Sequence, residues 1–381
     1  MRPPVARRRR AAAASALASA FCAAWLLAAC SSAPPAPAAA PPPPPRPPAA
    51  EAAAAPERMA AAGGPWLQAQ GQVLGRNERL LVYRPAAGDS FEGIAERFLG
   101  SAAQAWQVAD ANDDDGDGSR SPAPPSPAVP LLVPLRPLNP LGVGAERLQT
   151  VPILCYHRLG PGNAKMVVSP AAFEAQMAWL VRNGYRVVRL ADLAGFLAGR
   201  KALPARSVVI SFDDGYESVY RHAYPVLKKY RLPATVFVYT DFLGGGDALT
   251  WAQLQEMQAS GLVDVQSHSK SHRNLIERRA GETDERYRAA LDTEMRAPRE
   301  LLERRLPPLK VRQLAYPFGD ANEAVLEAAA RNGYELGATV VPGGNAFYAQ
   351  PLMLRRTMIF GDTSLEAFKS KLQTSRALAA P

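Results

Sequence analysis

Residues 208–215 read Val-Val-Ile-Ser-Phe-Asp-Asp-Gly, an apolar run that ends in two adjacent carboxylates and a glycine. Such a run, rich in β-branched and aromatic residues, predicts a buried strand. Asp-Gly is by itself an ordinary turn signal. Two carboxylates just past a buried strand, however, are costly unless a metal ion or hydrogen bonds compensate. The stretch therefore predicts a strand with a polar site at its C-terminal end.

From Val151 onward, similar apolar runs alternate with helical patterns, as in α/β folds. The predicted strands are residues 152–156, 185–188, 208–212, 235–239, 263–266, 313–316 and 336–340. The predicted helices are residues 171–183, 220–230, 251–260, 283–305 and 322–332. In barrels of this kind the chemistry gathers at the C-terminal ends of the strands.

Three of the four histidines stand at predicted strand ends. His268 and His272, in His-Ser-Lys-Ser-His, have a spacing that would put both imidazoles on one face of a helical turn. Two histidines and a carboxylate bind one divalent ion and leave positions open for water and substrate, as catalytic sites do. Taken alone, two histidines at this spacing could also lie on the surface by chance without binding a metal.

Two further motifs follow predicted strands. His157 closes the first strand, in Leu-Cys-Tyr-His. Residues 315–319, Ala-Tyr-Pro-Phe-Gly, could present backbone N–H groups to an oxyanion.

The motifs Ser-Phe-Asp-Asp-Gly, His-Ser-Lys-Ser-His and Ala-Tyr-Pro-Phe-Gly, in this order, resemble the polysaccharide deacetylase family with the NodB homology domain (carbohydrate esterase family 4). The Tyr156-His157 opening looks most like its branch that deacetylates poly-β-1,6-N-acetylglucosamine. The resemblance spans residues 151–359. It implies an α/β fold, a distorted (β/α)7 barrel, and an enzyme that removes acetyl groups from an N-acetylglucosamine-containing polysaccharide.

The resemblance also implies roles for matching residues. Asp213 matches the general base, which takes a proton from the attacking water. The metal ligands are matched by Asp214, His268 and His272. The ion expected from the resemblance is zinc, although cobalt, nickel and iron suit the same ligands. The oxyanion and substrate segment is matched by Tyr316, Pro317 and Phe318, with the backbone N–H of Phe318 facing the oxyanion.

The chain departs from the family pattern at two points. Many members protonate the leaving amine from a late histidine, but here no histidine follows His272. In the Tyr-His branch the first-strand histidine is thought to serve instead, so His157 is the predicted general acid, or else a residue that contacts substrate. The family arginine that steadies the base is replaced by Ala315. Arg356 is the candidate substitute, and a surface arginine is the alternative.

The N-terminus reads as an export signal. Residues 1–29 carry five arginines and an apolar run that ends in Leu-Ala-Ala before Cys30, like a bacterial lipobox. This predicts lipidation at Cys30, and Ser31 after it favours the periplasmic side of the outer membrane. A plain signal peptide or a single membrane anchor is the alternative. The leader holds more than half of the formal net charge of +9, so nucleic acid is not an expected partner.

The remaining chain divides into four predicted parts. Residues 30–78 are an Ala/Pro-rich linker that cannot bury a core and is expected to be disordered. Residues 79–137 resemble a LysM module, a βααβ fold that binds N-acetylglucosamine chains, interrupted by an Asp- and Pro-rich insertion at 113–127. A packing module without sugar affinity is the alternative. Residues 138–150 are a second linker, and residues 151–381 are the deacetylase domain.

Three functions remain open from the sequence. The favoured one is deacetylation of an exported polysaccharide such as poly-β-1,6-N-acetylglucosamine. A LysM-like module would instead place the enzyme on peptidoglycan. A non-catalytic glycan-binding lipoprotein is disfavoured because the base and all three ligands, Asp213, Asp214, His268 and His272, are present.

Overall fold

The computed structural model describes residues 71–113, 123–144, 146–162 and 164–378. The predicted leader, the lipidation site Cys30, the Ala/Pro-rich linker as far as residue 70 and most of the Asp- and Pro-rich insertion lie outside these residues. No helix in the described part of the chain is long and apolar enough to cross a membrane.

The strands and helices are numbered in chain order. The strands are β1 (Gln72–Arg76), β2 (Leu80–Arg84), β3 (Leu131–Pro134), β4 (Arg147–Gln149), β5 (Val151–Tyr156), β6 (Arg158–Leu159), β7 (Val167–Val168), β8 (Arg186–Val187), β9 (Ser207–Phe212), β10 (Ala234–Val238), β11 (Val263–Ser267), β12 (Gln313–Ala315), β13 (Leu336–Ala338), β14 (Gly344–Asn345), β15 (Thr357–Met358) and β16 (Ser375–Ala377). The α-helices are α1 (Phe91–Leu99), α2 (Ala105–Ala111), α3 (Pro170–Arg182), α4 (Asp192–Leu197), α5 (Tyr224–Tyr230), α6 (Trp251–Ala259), α7 (Asp284–Arg305), α8 (Glu323–Arg331) and α9 (Leu365–Ser370).

Strand β9 lies in a parallel sheet whose order is β13, β12, β11, β10, β9, β5. Its six residues are all buried. Val208, Ile210 and Phe212 belong to one apolar cluster and Val209 to another, which Phe237 of β10 shares. Because both faces are covered, the strand reads as a continuous apolar run rather than as an alternation.

The sheet curls, and residues 354–358, the closing segment, contact both of its ends. Leu354 bridges to Ala338 of β13, and β15 pairs in parallel with β5. With β8, which pairs in parallel with the start of β9, eight parallel strands of the described residues form this curled sheet, and the predicted distorted α/β barrel is confirmed. The carboxyl ends of these strands share one edge, where the candidate site residues follow.

The remaining predicted strands and helices of the barrel agree with the observed ones to within a few residues, with one difference in kind. The predicted helix 220–230 begins as a π-helix, Val219–Ala223, and continues as α5. Pro225 lies in the first turn of α5, where a residue without a backbone N–H is tolerated. The segment predicted as the second linker contains β4, which pairs with β16 near the end of the described chain.

The N-terminal part forms a small antiparallel sheet of β1, β2 and β3 with α1 and α2 beside it. The hydroxyl of Ser90 caps α1 by accepting a hydrogen bond from Gly93 N. Tyr83, Ile94 and Val133 are fully buried in its core. The predicted order strand, helix, helix, strand is present, with β1 added before it, while its identity as a LysM module stays a prediction.

The closing segment carries a buried charge. Arg356 has no exposed surface, and its Nη1 and Nη2 lie 2.6 Å and 2.7 Å from the two carboxylate oxygens of Asp213. Its Nε donates to Thr339 O at 2.8 Å. Burial alone would raise the pKa of Asp213, but the charge and hydrogen bonds of Arg356, together with the charges of His268 and His157, bring it to about 2. The pair thus joins the last strand of the barrel to the end of β9.

Replacing Arg356 by leucine should destabilise the fold strongly. The change leaves the Asp213 carboxylate buried without its partner, which costs about 3–5 kcal/mol. Urea unfolding at pH 7 measures the loss. Arg355→Leu is the matched control, because Arg355 is exposed and its loss should cost less than about 0.5 kcal/mol. Equal unfolding midpoints for the two variants would show that the pair does not stabilise the barrel.

The same pair predicts a pH dependence. The folded-state pKa of Asp213, about 2, lies below the value of about 3.9 for an unfolded aspartate. The ionised Asp213 therefore stabilises the folded state fully above about pH 4, and this stabilisation is lost as the pH falls through about 2. The difference in unfolding free energy between wild type and Arg356→Leu should narrow by on the order of 2 kcal/mol between pH 6 and pH 2.5. A constant difference over this range would contradict the assignment.

Candidate active site and metal centre

The predicted base, ligands and general acid follow three strands whose ends lie at the same edge of the sheet. His157 follows β5, Asp213 and Asp214 follow β9, and His268 follows β11. The parallel register continues briefly beyond the strands, since Asp213 N donates to Tyr156 O at 2.9 Å and His268 N donates to Val238 O at 2.8 Å. The strand order therefore brings together side chains that are more than one hundred residues apart in the chain.

Asp214, His268 and His272 converge on one point. Oδ1 of Asp214 lies 3.4 Å from Nε2 of His268 and 3.2 Å from Nε2 of His272. This oxygen is buried and has no hydrogen-bond partner among the described residues. One ligand atom from each of the three residues lies within 4.8 Å of the others. A buried carboxylate oxygen without a donor, facing two imidazole nitrogens, fits a divalent cation.

The loop that carries the two histidines is not helical. The prediction of a helical turn over residues 268–272 is wrong, because Ser269 and His272 adopt positive φ angles of 70° and 60°. Left-handed residues turn the chain sharply and still bring the two rings to 4.8 Å between centroids. The spacing of the histidines thus reflects a tight irregular loop rather than one face of a helix.

The protonation of His268 is set by its surroundings. Its Nδ1 lies 2.7 Å from Ala315 O, and a carbonyl oxygen can only accept, so Nδ1 carries the proton. In the neutral ring, Nε2 then presents its lone pair toward Asp214, as metal-bound histidines do. Burial raises the pKa of Asp214, but the nearby imidazoles of His268, His272 and His157 together outweigh burial and hold that pKa well below its usual range. The ligand set is therefore ready in the ionised form that a cation requires.

Asp213 and His157 lie beside this centre with a third group, Cys155. The Cys155 thiol donates to Oδ2 of Asp213 at 3.4 Å, and one ligand atom each from Cys155, His157 and Asp213 lie within 4.8 Å of one another. Burial lowers the pKa of His157 although both aspartates oppose this. The buried guanidinium of Arg356 disfavours a second cation here, so the cluster fits proton transfer better.

Asp213 has one partner that the sequence suggested and one that it did not. Arg356 is a buried partner of Asp213 rather than a surface arginine. The contact of Cys155 with Asp213 was not expected, since a cysteine inside an apolar strand reads as a small core residue. The contact forms because the Cys155 side chain points from β5 toward the Asp213 carboxylate.

The Tyr316-Pro317-Phe318 segment divides between core and surface. Tyr316 and Pro317 are buried, and the Tyr316 hydroxyl donates to Leu352 O at 2.9 Å. Phe318 is 59% exposed, has a φ of 61° and packs its ring against His272 at 4.9 Å between centroids. The segment therefore brings the Phe318 ring, not the tyrosine hydroxyl, into contact with His272.

Comparison with known proteins places this arrangement in a family. The family model described as polysaccharide deacetylase matches residues 200–337. A Bacillus subtilis protein assigned to the polysaccharide deacetylases, YxkH, is 32% identical over 234 residues, which are 61% of this chain and 80% of that protein. A Staphylococcus aureus protein named poly-β-1,6-N-acetyl-D-glucosamine N-deacetylase is 28% identical over 197 residues, 49% of this chain and 67% of that protein.

A solved structure agrees with the fold. The deacetylase PplD of Streptococcus pyogenes, in complex with acetate, superposes with a TM-score of 0.54 at 28% identity and covers 58% of this chain and 98% of its own. On the sequence match over most of a relative and on the matching barrel, this chain belongs to the polysaccharide deacetylase family of NodB type and is a polysaccharide N-deacetylase.

Proposed function

We propose that this enzyme is metal-dependent and that its substrate is an exported polymer of N-acetylglucosamine, with poly-β-1,6-N-acetylglucosamine favoured. The observation that carries the metal dependence is the donor-free Oδ1 of Asp214, which faces the Nε2 atoms of His268 and His272. Support for the substrate comes from the Staphylococcus aureus relative, whose name specifies that polymer. Zinc is the favoured ion, while cobalt, nickel and iron suit the same ligands.

Asp214, His268 and His272 would hold the ion. When bound, it polarises the acetamide carbonyl and makes the attacking water more acidic. Asp213 takes the proton of that water. A carboxylate with a pKa of about 2 is a weak base, so Asp213 depends on this acidification. Arg356, which binds both of its oxygens, keeps the carboxylate ionised and oriented.

The amine that leaves must gain a proton, and His157 is the proposed donor. Its pKa is lowered by burial, so the ring is neutral at neutral pH and must gain a proton during turnover. Asp213, which has just taken the proton of the water, lies within 4.8 Å of the ring. The proton thus passes from water to Asp213, to His157 and to the amine, while acetate keeps the water oxygen. The Phe318 N–H is the proposed donor to the oxyanion.

The rim of the site supports a sugar polymer as substrate. The exposed ring of Phe318 contacts the ring of His272, and the ring centroid of Tyr239 lies 5.0 Å from that of His272. Tyr239 in turn stacks on Phe242 at 5.0 Å. A row of aromatic rings beside the ligands offers apolar faces on which pyranose rings can stack. Because the row lies next to the metal centre, it can bind the sugar units on either side of the unit that is deacetylated.

The N-terminal part extends the proposal. We infer that the leader exports the chain and that Cys30 anchors it on the periplasmic side of the outer membrane. The small module is then positioned to bind an N-acetylglucosamine chain, in peptidoglycan or in the polymer itself. The strand and helix order of the module supports this role. Peptidoglycan is therefore the second candidate substrate.

The decisive experiment is acetate release by the chain from Gly71 onward. Oligomers of β-1,6-linked N-acetylglucosamine should be deacetylated after addition of zinc or cobalt and not in excess chelator. Asp214→Asn should lower the rate by at least about a hundredfold, because a ligand is lost. Asp241→Asn, an exposed acid near the same rim, is the control and should retain activity. Acetate release that continues in excess chelator would contradict the proposed metal dependence. Peptidoglycan sacculi are assayed in parallel, and acetate release from sacculi but not from the oligomers would favour peptidoglycan as the substrate.

The role of His157 has its own test. His157→Ala should lower kcat on the oligomers by about 10²–10⁴-fold, the usual contribution of a general acid. An aryl acetate ester, whose phenolate leaves without a proton, should be hydrolysed at nearly the wild-type rate by the same variant. A loss of equal size on both substrates would mean that His157 serves binding or structure instead.

A further inference from the structure

Glu294 is a buried acid that none of the sequence motifs contains. It lies in the middle of α7 and is 8% exposed. Its Oε2 accepts hydrogen bonds from the backbone N–H groups of Lys270 at 3.1 Å and Ser271 at 2.9 Å. Its Oε1 accepts a third from the Ser271 hydroxyl at 2.6 Å. All three donors belong to Lys270 and Ser271, two of the three residues between His268 and His272.

The loop between the histidines needs such support. Ser269 and His272 both have left-handed backbone angles, which are unfavourable for residues with a β-carbon and persist only where the surroundings impose them. Within the loop, Ser269 Oγ accepts from His272 N at 3.1 Å. That bond ties the loop's two strained residues together but leaves the N–H groups of Lys270 and Ser271 for another acceptor.

The loop also carries an exposed ion pair, which is a weaker kind of contact. The Lys270 ammonium pairs with Asp241 at 2.7 Å, but these side chains are 38% and 46% exposed. Exposed ion pairs contribute little. Charge-assisted hydrogen bonds to a buried carboxylate are stronger and more directional. Glu294 is therefore the contact most able to hold the loop in its strained form.

We propose that Glu294 is a positioning residue that sets the affinity and geometry of the metal centre without touching the ion. It holds the crest of the loop so that the two Nε2 atoms face Asp214. This inference rests on the proposed metal dependence. Glutamine at this position has the same size but carries no charge, so the hydrogen bonds from Lys270 and Ser271 would lose the charge assistance that the carboxylate gives them.

Direct metal binding tests the proposal without relying on activity. The metal-free chain from Gly71 onward is titrated with zinc against a chromophoric chelator, and with cobalt while its visible absorption is recorded. Glu294→Gln should raise the dissociation constant for zinc about 10–100-fold, as loss of such outer contacts does. It should also shift the cobalt absorption bands, and saturating metal should restore part of the deacetylation rate.

The matched control is Glu303→Gln on the same helix. Glu303 also accepts a backbone hydrogen bond, from Val311 N at 3.0 Å, but far from the histidines in the chain. Its loss should lower thermal stability and leave the zinc dissociation constant unchanged. Ser271→Ala removes one of the three hydrogen bonds and should weaken zinc binding about threefold to tenfold. This variant decides the matter if Glu294→Gln does not fold.

The outcomes separate two ideas. Wild-type zinc affinity and an unchanged cobalt spectrum in both Glu294→Gln and Ser271→Ala would overturn the role of Glu294 and leave the metal centre intact. Equal weakening by Glu303→Gln would also overturn it, since the effect would then come from general destabilisation. Failure of the wild-type chain to bind any divalent ion would instead refute the proposed metal dependence itself.

Discussion

The ion pair between Arg356 and Asp213 is the contact on which both the barrel and the chemistry depend. Burying two charges is costly, and bidentate geometry with a further hydrogen bond to Thr339 O is what compensates. The arginine comes from the segment that joins the two ends of the sheet, and the aspartate stands beside the metal ligands. The same ion pair therefore closes the barrel and keeps the proposed base ionised.

Strained backbone gathers around the same point. Asp214, Ser269, His272 and Phe318 are four of the five residues other than glycine that adopt positive φ angles within the described chain. Strain of this kind persists where neighbouring contacts outweigh it, and it places side chains where regular strands and helices cannot. The site is thus held by contacts from outside it, among them Ala315 O on His268 and Glu294 on the loop. Ligand identity alone does not describe such a centre.

The sequence predicted the barrel well where its elements are long. Strand β9 and helix α7 have the apolar patterns of their kind and were located to within about one residue. Strand β15 and helices α4 and α9 were missed because they are only two or six residues long, too short for a period to appear. The helical turn at the histidines was wrong because i, i+4 spacing does not distinguish a helix from a left-handed loop.

The sequence by itself determined the family, the order of the motifs and the residue types at the proposed centre, because each motif is local and follows a strand that can be read from its own apolar run. Only the tertiary structure decided which distant groups serve those motifs. Arg356 faces Asp213 because the closing segment pairs with β5, and Glu294 faces the histidine loop because α7 packs beside it. The sequence offers Arg356 only as a candidate and does not mark Glu294 at all, since such contacts arise from the packing of elements far apart in the chain.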